Sequence, residues 1–299
     1  MNTESCAMRI LRKVGFEGAA WSLRRIHCPV DKNALVLEVG AGGNPYPRAN
    51  VLLDGYEDSV ERIEKTLVAD RPLVLGFAEK LPFKSKSFDF VISSHVLEHS
   101  TDPEQFLREM MRVGKAGYIE TPDAFFERIN PFTYHRVEVA AMDDKKIRLF
   151  KKSSWRHDAF IVDEFERQLK DKSFIKYISR HPSPFHMRFY WSDSIDFEVV
   201  NPEVDNSWNL PEAAYRNSAN LPSPSISLRL RYFMRNALRW LFSQNARNRQ
   251  LDVYGLLLCP TCHHEKLRKT STELICENCN TAYPIQNGVP VMYPKHGIE

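Results

Sequence analysis

The sequence predicts an α/β fold: a doubly wound parallel sheet followed by a small cysteine-rich module. Three observations predict it: short apolar runs alternating with helical stretches, a glycine turn directly after the first run, and two C-x-x-C pairs near the end of the chain. The 299 residues are 43% hydrophobic and 26% charged, which suits about two globular domains and excludes disordered, collagenous and low-complexity classes. Charges between Glu4 and Arg25 break any apolar signal-peptide core, and no uncharged apolar run is long enough to span a bilayer. The expected compartment is cytoplasmic, where the six cysteines stay reduced.

Residues 1–33 read as a helical segment carrying one or two amphipathic helices. Ala34 to Val39 is a buried strand running into glycine, and further strands are expected at Asn50–Asp54, Leu73–Phe77, Phe88–Ser93 and Gly117–Glu120. Pro103–Val113 reads as a helix, with Asp102 as N-cap and Pro103 at its first position. Phe185–Tyr190 and Ile195–Val200, joined through Asp193 and Ser194, predict a hairpin appended to the sheet, which closes a domain at 34–200. Pro202, Pro211, Pro222 and Pro224 mark a linker, and residues 201–250 combine it with a basic amphipathic helix, Arg229–Arg249. Ile226 to Gln250 holds six arginines and no acid, so either the apolar side packs on the main domain or the helix meets anionic lipid or a nucleic-acid backbone.

The glycine turn reads Glu38-Val39-Gly40-Ala41-Gly42-Gly43-Asn44-Pro45. Glycines there let a ligand approach main-chain N–H groups with no Cβ in the way. Pro45 stands where a dinucleotide motif wants its last glycine, and no G-K-[ST] follows. Asp54 closes the next strand, where a carboxylate can accept from ribose hydroxyls. With Ala78-Glu-Lys-Leu-Pro-Phe83 and Ser87-Phe-Asp-Phe-Val-Ile-Ser-Ser-His-Val-Leu-Glu-His99, residues 34–122 resemble class I S-adenosylmethionine-dependent methyltransferases of the type 11 branch.

That resemblance implies a Rossmann-like methyltransferase sheet and a cofactor site. Gly40 and Gly42 would line the methionine part of S-adenosyl-L-methionine, Glu38 would support the turn, and Asp54 would take the ribose. Ala78 would meet the adenine through its backbone, and Ser94 and His95 would lie near the sulfonium and the acceptor. Asn44 replaces a usual third glycine, which asparagine's readiness for positive φ makes tolerable. Phe77 replaces a frequent aspartate and could pack on the adenine ring.

On the acceptor side, His95, Glu98 and His99 fall at i, i+3 and i+4. Three readings stand open: His95 or His99 as a base for an oxygen acceptor, a divalent-metal site, or structural hydrogen bonding. Methyltransferases acting on vicinal hydroxyls resemble the metal reading with Glu in the place of His95. No N-P-P-Y motif follows the fourth strand, which lowers the odds of amide or adenine nitrogen as acceptor. His135, Arg136 and Trp155 are candidates for reading a polar substrate, and Phe185, Phe189, Tyr190 and Trp191 read as core more readily than as a sugar platform.

Cys259-x2-Cys262-x13-Cys276-x2-Cys279 has the spacing of two knuckles closing a tetrahedral structural Zn2+ site, with an iron–sulfur cluster as the alternative. Residues 251–299 around it resemble the Trm112-like zinc-ribbon family, whose members are small activator subunits of methyltransferases in the translation apparatus. The expected function is a methyltransferase O-methylating a sugar, a lipid-linked saccharide or another small polar acceptor. Methylation of rRNA, tRNA or a translation factor stands second, and a catalytically degenerate zinc-bearing interaction protein third. Expected partners are that small-molecule or glycan acceptor and an anionic membrane surface at the inner face, met through the arginine helix, with RNA as the lesser alternative.

Overall fold

The computed structural model describes residues 3–57, 66–142, 145–209 and 226–295. It opens with α1 (Cys6–Lys13) and α2 (Glu17–Leu23) and continues through β1 (Val36–Val39), β2 (Val51–Asp54), β3 (Leu73–Leu75) and β4 (Phe90–Ser94). After α3 (Pro103–Val113) come β5 (Ala116–Pro122), α4 (Ala124–Ile129), β6 (Val137–Met142) and β7 (Lys146–Lys151). Next follow α5 (Ala159–Gln168), α6 (Lys172–Arg180), β8 (His186–Ser192) and β9 (Phe197–Val199), then α7 (Ile226–Phe242) and α8 (Asn245–Gln250).

The main sheet has the order β3-β2-β1-β4-β5-β8, with the first five strands parallel and β8 antiparallel. Its five parallel strands are buried almost throughout because both faces are covered. Leu37, Val39, Leu53, Val91 and Ile119 pack with Phe106, Leu107, Met110 and Val113 of α3. Val36, Phe90, Ile92 and Tyr118 point the other way, onto Tyr46 and onto Cys28 and Val30 of the N-terminal segment. As its sequence predicts, α3 starts at Asp102, whose carboxylate accepts from Gln105 N at 3.0 Å.

Two expectations about architecture need correction. The 185–200 region forms no hairpin: β8 pairs with β5, from Ala116↔Ser192 to Pro122↔His186, whereas β9 pairs parallel with β7 in a separate sheet, β6-β7-β9. Asp193 takes φ 64° and donates its N–H to Lys115 O at 2.8 Å, which turns the chain off the β5 edge instead of back along β8. Helix α7 also faces opposite to the first expectation. Phe233, Met234, Trp240 and Leu241 are 55–68% exposed, while Arg239 turns inward to Asp70 at 3.0 Å. Helical periodicity separates two faces without saying which one is buried, and here Arg239, paired with Asp70, lies on the inward one.

The proline-rich segment divides. Asn206 is buried, donating to Ser100 O at 2.9 Å, and Trp208 donates to Lys152 O at 2.8 Å, while residues 210–225 lie outside those described. The C-terminal module is an antiparallel sheet of β10 (Leu267–Lys269), β11 (Glu273–Cys276), β12 (Ala282–Gln286) and β13 (Val289–Pro290). Its Leu257, Cys259, Leu274, Tyr283 and Met292 join the same apolar cluster as α3. Val291 bridges Leu75 on the free side of β3, Met292 N donates to Leu75 O at 2.7 Å, and Leu258 N donates to Pro82 O at 3.0 Å.

Candidate functional site

A cleft of about 520 Å³ opens at the C-terminal ends of β1, β2, β3 and β4. Ligands in open α/β sheets sit at this edge, and the volume suits a nucleoside-sized molecule with a small acceptor beside it. Gly40, Gly42, Asp54 and Ala78 line it. Gly40 takes φ +73°, and a Cβ there would fall 2.1 Å from Val96 Cγ2, so the position admits only glycine. Gly42 takes φ +55° with nothing within 4 Å of an added Cβ.

Asp54 accepts from Gly42 N at 2.8 Å and so ties β2 to the turn. Glu38 lies behind the turn rather than in the cleft, and its carboxylate accepts from Tyr46 N at 2.7 Å. Full burial pushes the Glu38 carboxyl up to about 7 against the opposing pull of Arg25, the Tyr46 N–H and Arg71. Ser94, at the end of β4, is paired in register with Glu120 and does not line the cleft. Asn44 corrects an expectation: its φ is not positive, and the left-handed positions of the turn are Gly40 and Gly42 alone. The Asn44 carbonyl instead accepts from the Arg25 guanidinium, which lies over the Tyr46 ring.

Three aromatics shape the adenine side implied by the resemblance. Phe77 and Tyr56 line the cleft with ring centroids 5.8 Å apart, and Tyr293 of the C-terminal module packs on Phe77 at 5.0 Å. The Tyr293 hydroxyl donates to Gly55 O at 2.9 Å, so the module forms part of the wall behind the lining residues.

His95 and His99 line the opposite side. His95 takes φ +59°, held there by its N–H donating to Glu120 O at 2.7 Å. Its ring nitrogens lie 3.3 Å from Glu98 and 3.4 Å from Glu120. Desolvation pulls the imidazolium down, but the two carboxylates outweigh it and raise the pKa to about 9. Glu120 is fully buried and bidentate to Arg24 at 2.6 and 2.7 Å, and it also accepts from the Tyr118 hydroxyl. Burial alone would raise Glu120, yet Arg24 and His95 hold it well below the usual carboxylate range.

His99 stacks on Tyr134 at 5.3 Å and meets His135 edge-on at 4.8 Å. Arg136 lines the cleft, with its guanidinium over Trp208 and bonded to Asn206 O. Trp155 stacks on His157 away from the cleft, and Phe189, Tyr190 and Trp191 pack into the two cores. Residues the sequence did not single out include Arg24, Glu120 and Glu127, which meet their partners only through the fold.

In the C-terminal module the four sulfurs of Cys259, Cys262, Cys276 and Cys279 lie within 4.8 Å of one another, with Cys259–Cys279 at 3.6 Å and Cys262–Cys276 at 3.5 Å. Thiolates on one tetrahedral Zn2+ stand about 3.8 Å apart, so the set fits the ion. His263 and Asn280, each directly after the second cysteine of a knuckle, take φ 57° and 55° and donate to Cys259 O and Cys276 O. Hydroxyls of Tyr283 and Thr281, 3.0 and 3.2 Å from Cys259 and Cys279 Sγ, supply donors that suit thiolate.

Residues 37–119 match the methyltransferase domain family and residues 251–288 the Trm112p-like protein family. The chain belongs to the Trm112p-like family through its C-terminal segment and carries a class I methyltransferase domain ahead of it. A UPF0434 protein from Hahella chejuensis is 39% identical over 44 residues, 14% of this chain and 73% of that protein. The ubiquinone/menaquinone biosynthesis C-methyltransferase of the same organism is 39% identical over 88 residues, 29% of this chain. The chain spans only 28% of that enzyme's length, and 63% of a UPF0434 protein from Methylobacillus flagellatus that is 50% identical over 38 residues, 12% of this chain. Among solved structures, a complex of the Haloferax volcanii Trm112 methyltransferase activator with a methyltransferase aligns over 63% of this chain and 94% of that one at 17% identity, TM-score 0.36.

Proposed function

We propose that this chain is an S-adenosylmethionine-dependent methyltransferase that O-methylates a sugar, a lipid-linked saccharide or another small polar acceptor. The observation that carries it is the cleft at the strand ends, with a glycine-only turn on one side and the Asp54 carboxylate on the next strand. S-adenosylmethionine supplies an electrophilic methyl group, so what the protein adds is alignment and, for a hydroxyl acceptor, removal of a proton. Gly40 and Gly42 leave room for close approach to the main chain, Asp54 offers a carboxylate to ribose hydroxyls, and the Phe77–Tyr56 pair offers an apolar face to the base.

His95 and His99 are the acceptor-side candidates. The carboxylates around His95 keep it protonated at neutral pH, which makes it a donor toward an acceptor oxygen, and the role of base falls to His99. Arg136 adds a fixed positive charge to the same wall. The lipid-linked form of the acceptor is favoured by α7, whose Phe233, Met234, Trp240 and Leu241 are turned outward. In the C-terminal module Cys259, Cys262, Cys276 and Cys279 would hold Zn2+ with no open position, a structural role.

Calorimetric titration of the zinc-loaded protein with S-adenosylmethionine tests the reading. Binding in the micromolar range that Asp54→Ala weakens at least tenfold is the expected result, followed by methyl transfer to glycan acceptors in preference to RNA. Absence of binding by the native protein overturns the reading.

A further inference from the structure

On the wall of the cleft, Glu98, His99 and His135 bring one carboxylate and two imidazoles together, with all three donor atoms within 4.8 Å of one another. We propose that these three residues bind a divalent first-row transition-metal ion. Donors sharing one ion at about 2.1 Å stand no more than about 4.2 Å apart, so side-chain rotation of roughly an ångström closes the set. The sequence alone suggested His95 as the third partner, but the fold substitutes His135, which follows 36 residues after His99 and is 4% exposed.

The surroundings are those of a built site. Glu98 is 1% exposed, its Oε1 meets His95 Nδ1 only at a long 3.3 Å, and its Oε2 has no hydrogen bond among the described residues, so the buried carboxylate has capacity left for a cation. His135 Nδ1 is 2.6 Å from Glu127, whose other oxygen accepts from the buried Lys152 at 2.8 Å. A carboxylate behind an imidazole fixes the tautomer that leaves Nε2 to ligate. Tyr134 stacked on His99 sets the plane of the second ring, and Arg136 N donating to Glu98 O at 2.6 Å fastens the His135 loop to the Leu97–His99 turn. The loop and the turn therefore stay in register.

Two nitrogens and one carboxylate suit Mn2+, Fe2+, Co2+ or Zn2+ better than Ca2+ or Mg2+, which prefer all-oxygen shells. Three protein ligands leave positions open, and His99 also lines the cleft, so those positions face the place where an acceptor lies. Resting on the methyl-transfer reading, the ion would orient adjacent hydroxyls and make them stronger acids, with His99 then a ligand rather than a base.

The test is titration of the full-length, zinc-loaded protein with Co2+, followed by calorimetry and absorption spectroscopy, with S-adenosylmethionine binding measured on the same samples. One equivalent of Co2+ with no thiolate charge-transfer band is expected. It should be lost in both Glu98→Gln and His135→Gln and weakened about 10–100-fold in Glu127→Gln. Circular dichroism and cofactor binding of these variants report whether they fold. No equivalent beyond the cysteine zinc, an equivalent that persists in folded Glu98→Gln and His135→Gln, or a thiolate band alone overturns the proposal. Retained S-adenosylmethionine binding in such a case leaves the methyltransferase reading intact, so the two fail separately.

Discussion

Replacing Arg24 by Met tests how far the cleft depends on a charge pair between the N-terminal segment and β5. The Glu120 carboxylate has no solvent exposure, and the Arg24 side chain that grips it in two bonds is only 12% exposed. Breaking a buried pair from one side destabilises by about 3–5 kcal/mol, because the remaining charge stays buried without its partner. Tyr118 and His95 still face Glu120 in the variant, so the expected loss lies near the lower limit, about 3 kcal/mol. At roughly 2–4 °C per kcal/mol for a chain of this size, the thermal midpoint should fall by about 6–12 °C. Urea unfolding followed by circular dichroism measures the change, and Glu120→Gln in the Arg24→Met background should recover part of it through a double-mutant cycle. A loss below about 1 kcal/mol, the range of an exposed pair, would refute the reasoning.

The other predictions concern the turn, the histidine and the four-cysteine cluster. Gly40→Ala should destabilise by at least about 2 kcal/mol, since the left-handed backbone costs about 1–2 kcal/mol for a residue with a Cβ and the Val96 contact adds to it; an unchanged melting curve counts against the assigned conformation. The imidazole of His95 is held at about 9, above its unfolded value, so its contribution to stability is full below about pH 6.5 and fades as pH rises through 9. NMR titration of His95 should show that raised midpoint, and Glu120→Gln should lower it. If Cys259, Cys262, Cys276 and Cys279 hold Zn2+, a chelator should unfold the C-terminal module and expose β3 to proteolysis, because Leu257, Cys259, Tyr283 and Met292 share the core with α3; a chelator-treated protein that melts as before contradicts this.

Local chemistry made much of the molecule readable in advance. The run from Ala34 to Val39 ending in glycine, the Asp102-Pro103 helix start and the cysteine spacing each carry their structural reason within a few residues. Pairings over long separations did not show. Arg24 meets Glu120 across 96 residues, and nothing near either one names the other. His135 reaches the Glu98 turn only because β6 carries its loop there. The strands at 186–192 and 197–199 were recognisable one by one, but their partners β5 and β7 depend on competition between sheet edges, which a local turn signal does not decide. The outward apolar face of α7 has the same origin, since Asp70 lies far from it in sequence.

The Leu75–Val291 bridge has a meaning for the order in which the molecule forms. It joins positions roughly 200 residues apart, among the most sequence-distant contacts in the fold, and such contacts carry the largest loop-closure cost before they return any stabilisation. During synthesis β1, β2 and β3 emerge early, with the outer side of β3 bare and open to pairing with another chain. The edge is capped only when residues 291–293 have left the ribosome, and the same residues place Tyr293 behind Phe77. The aromatic wall of the cleft is therefore finished late in folding, and a truncated or stalled chain would hold a sheet without it.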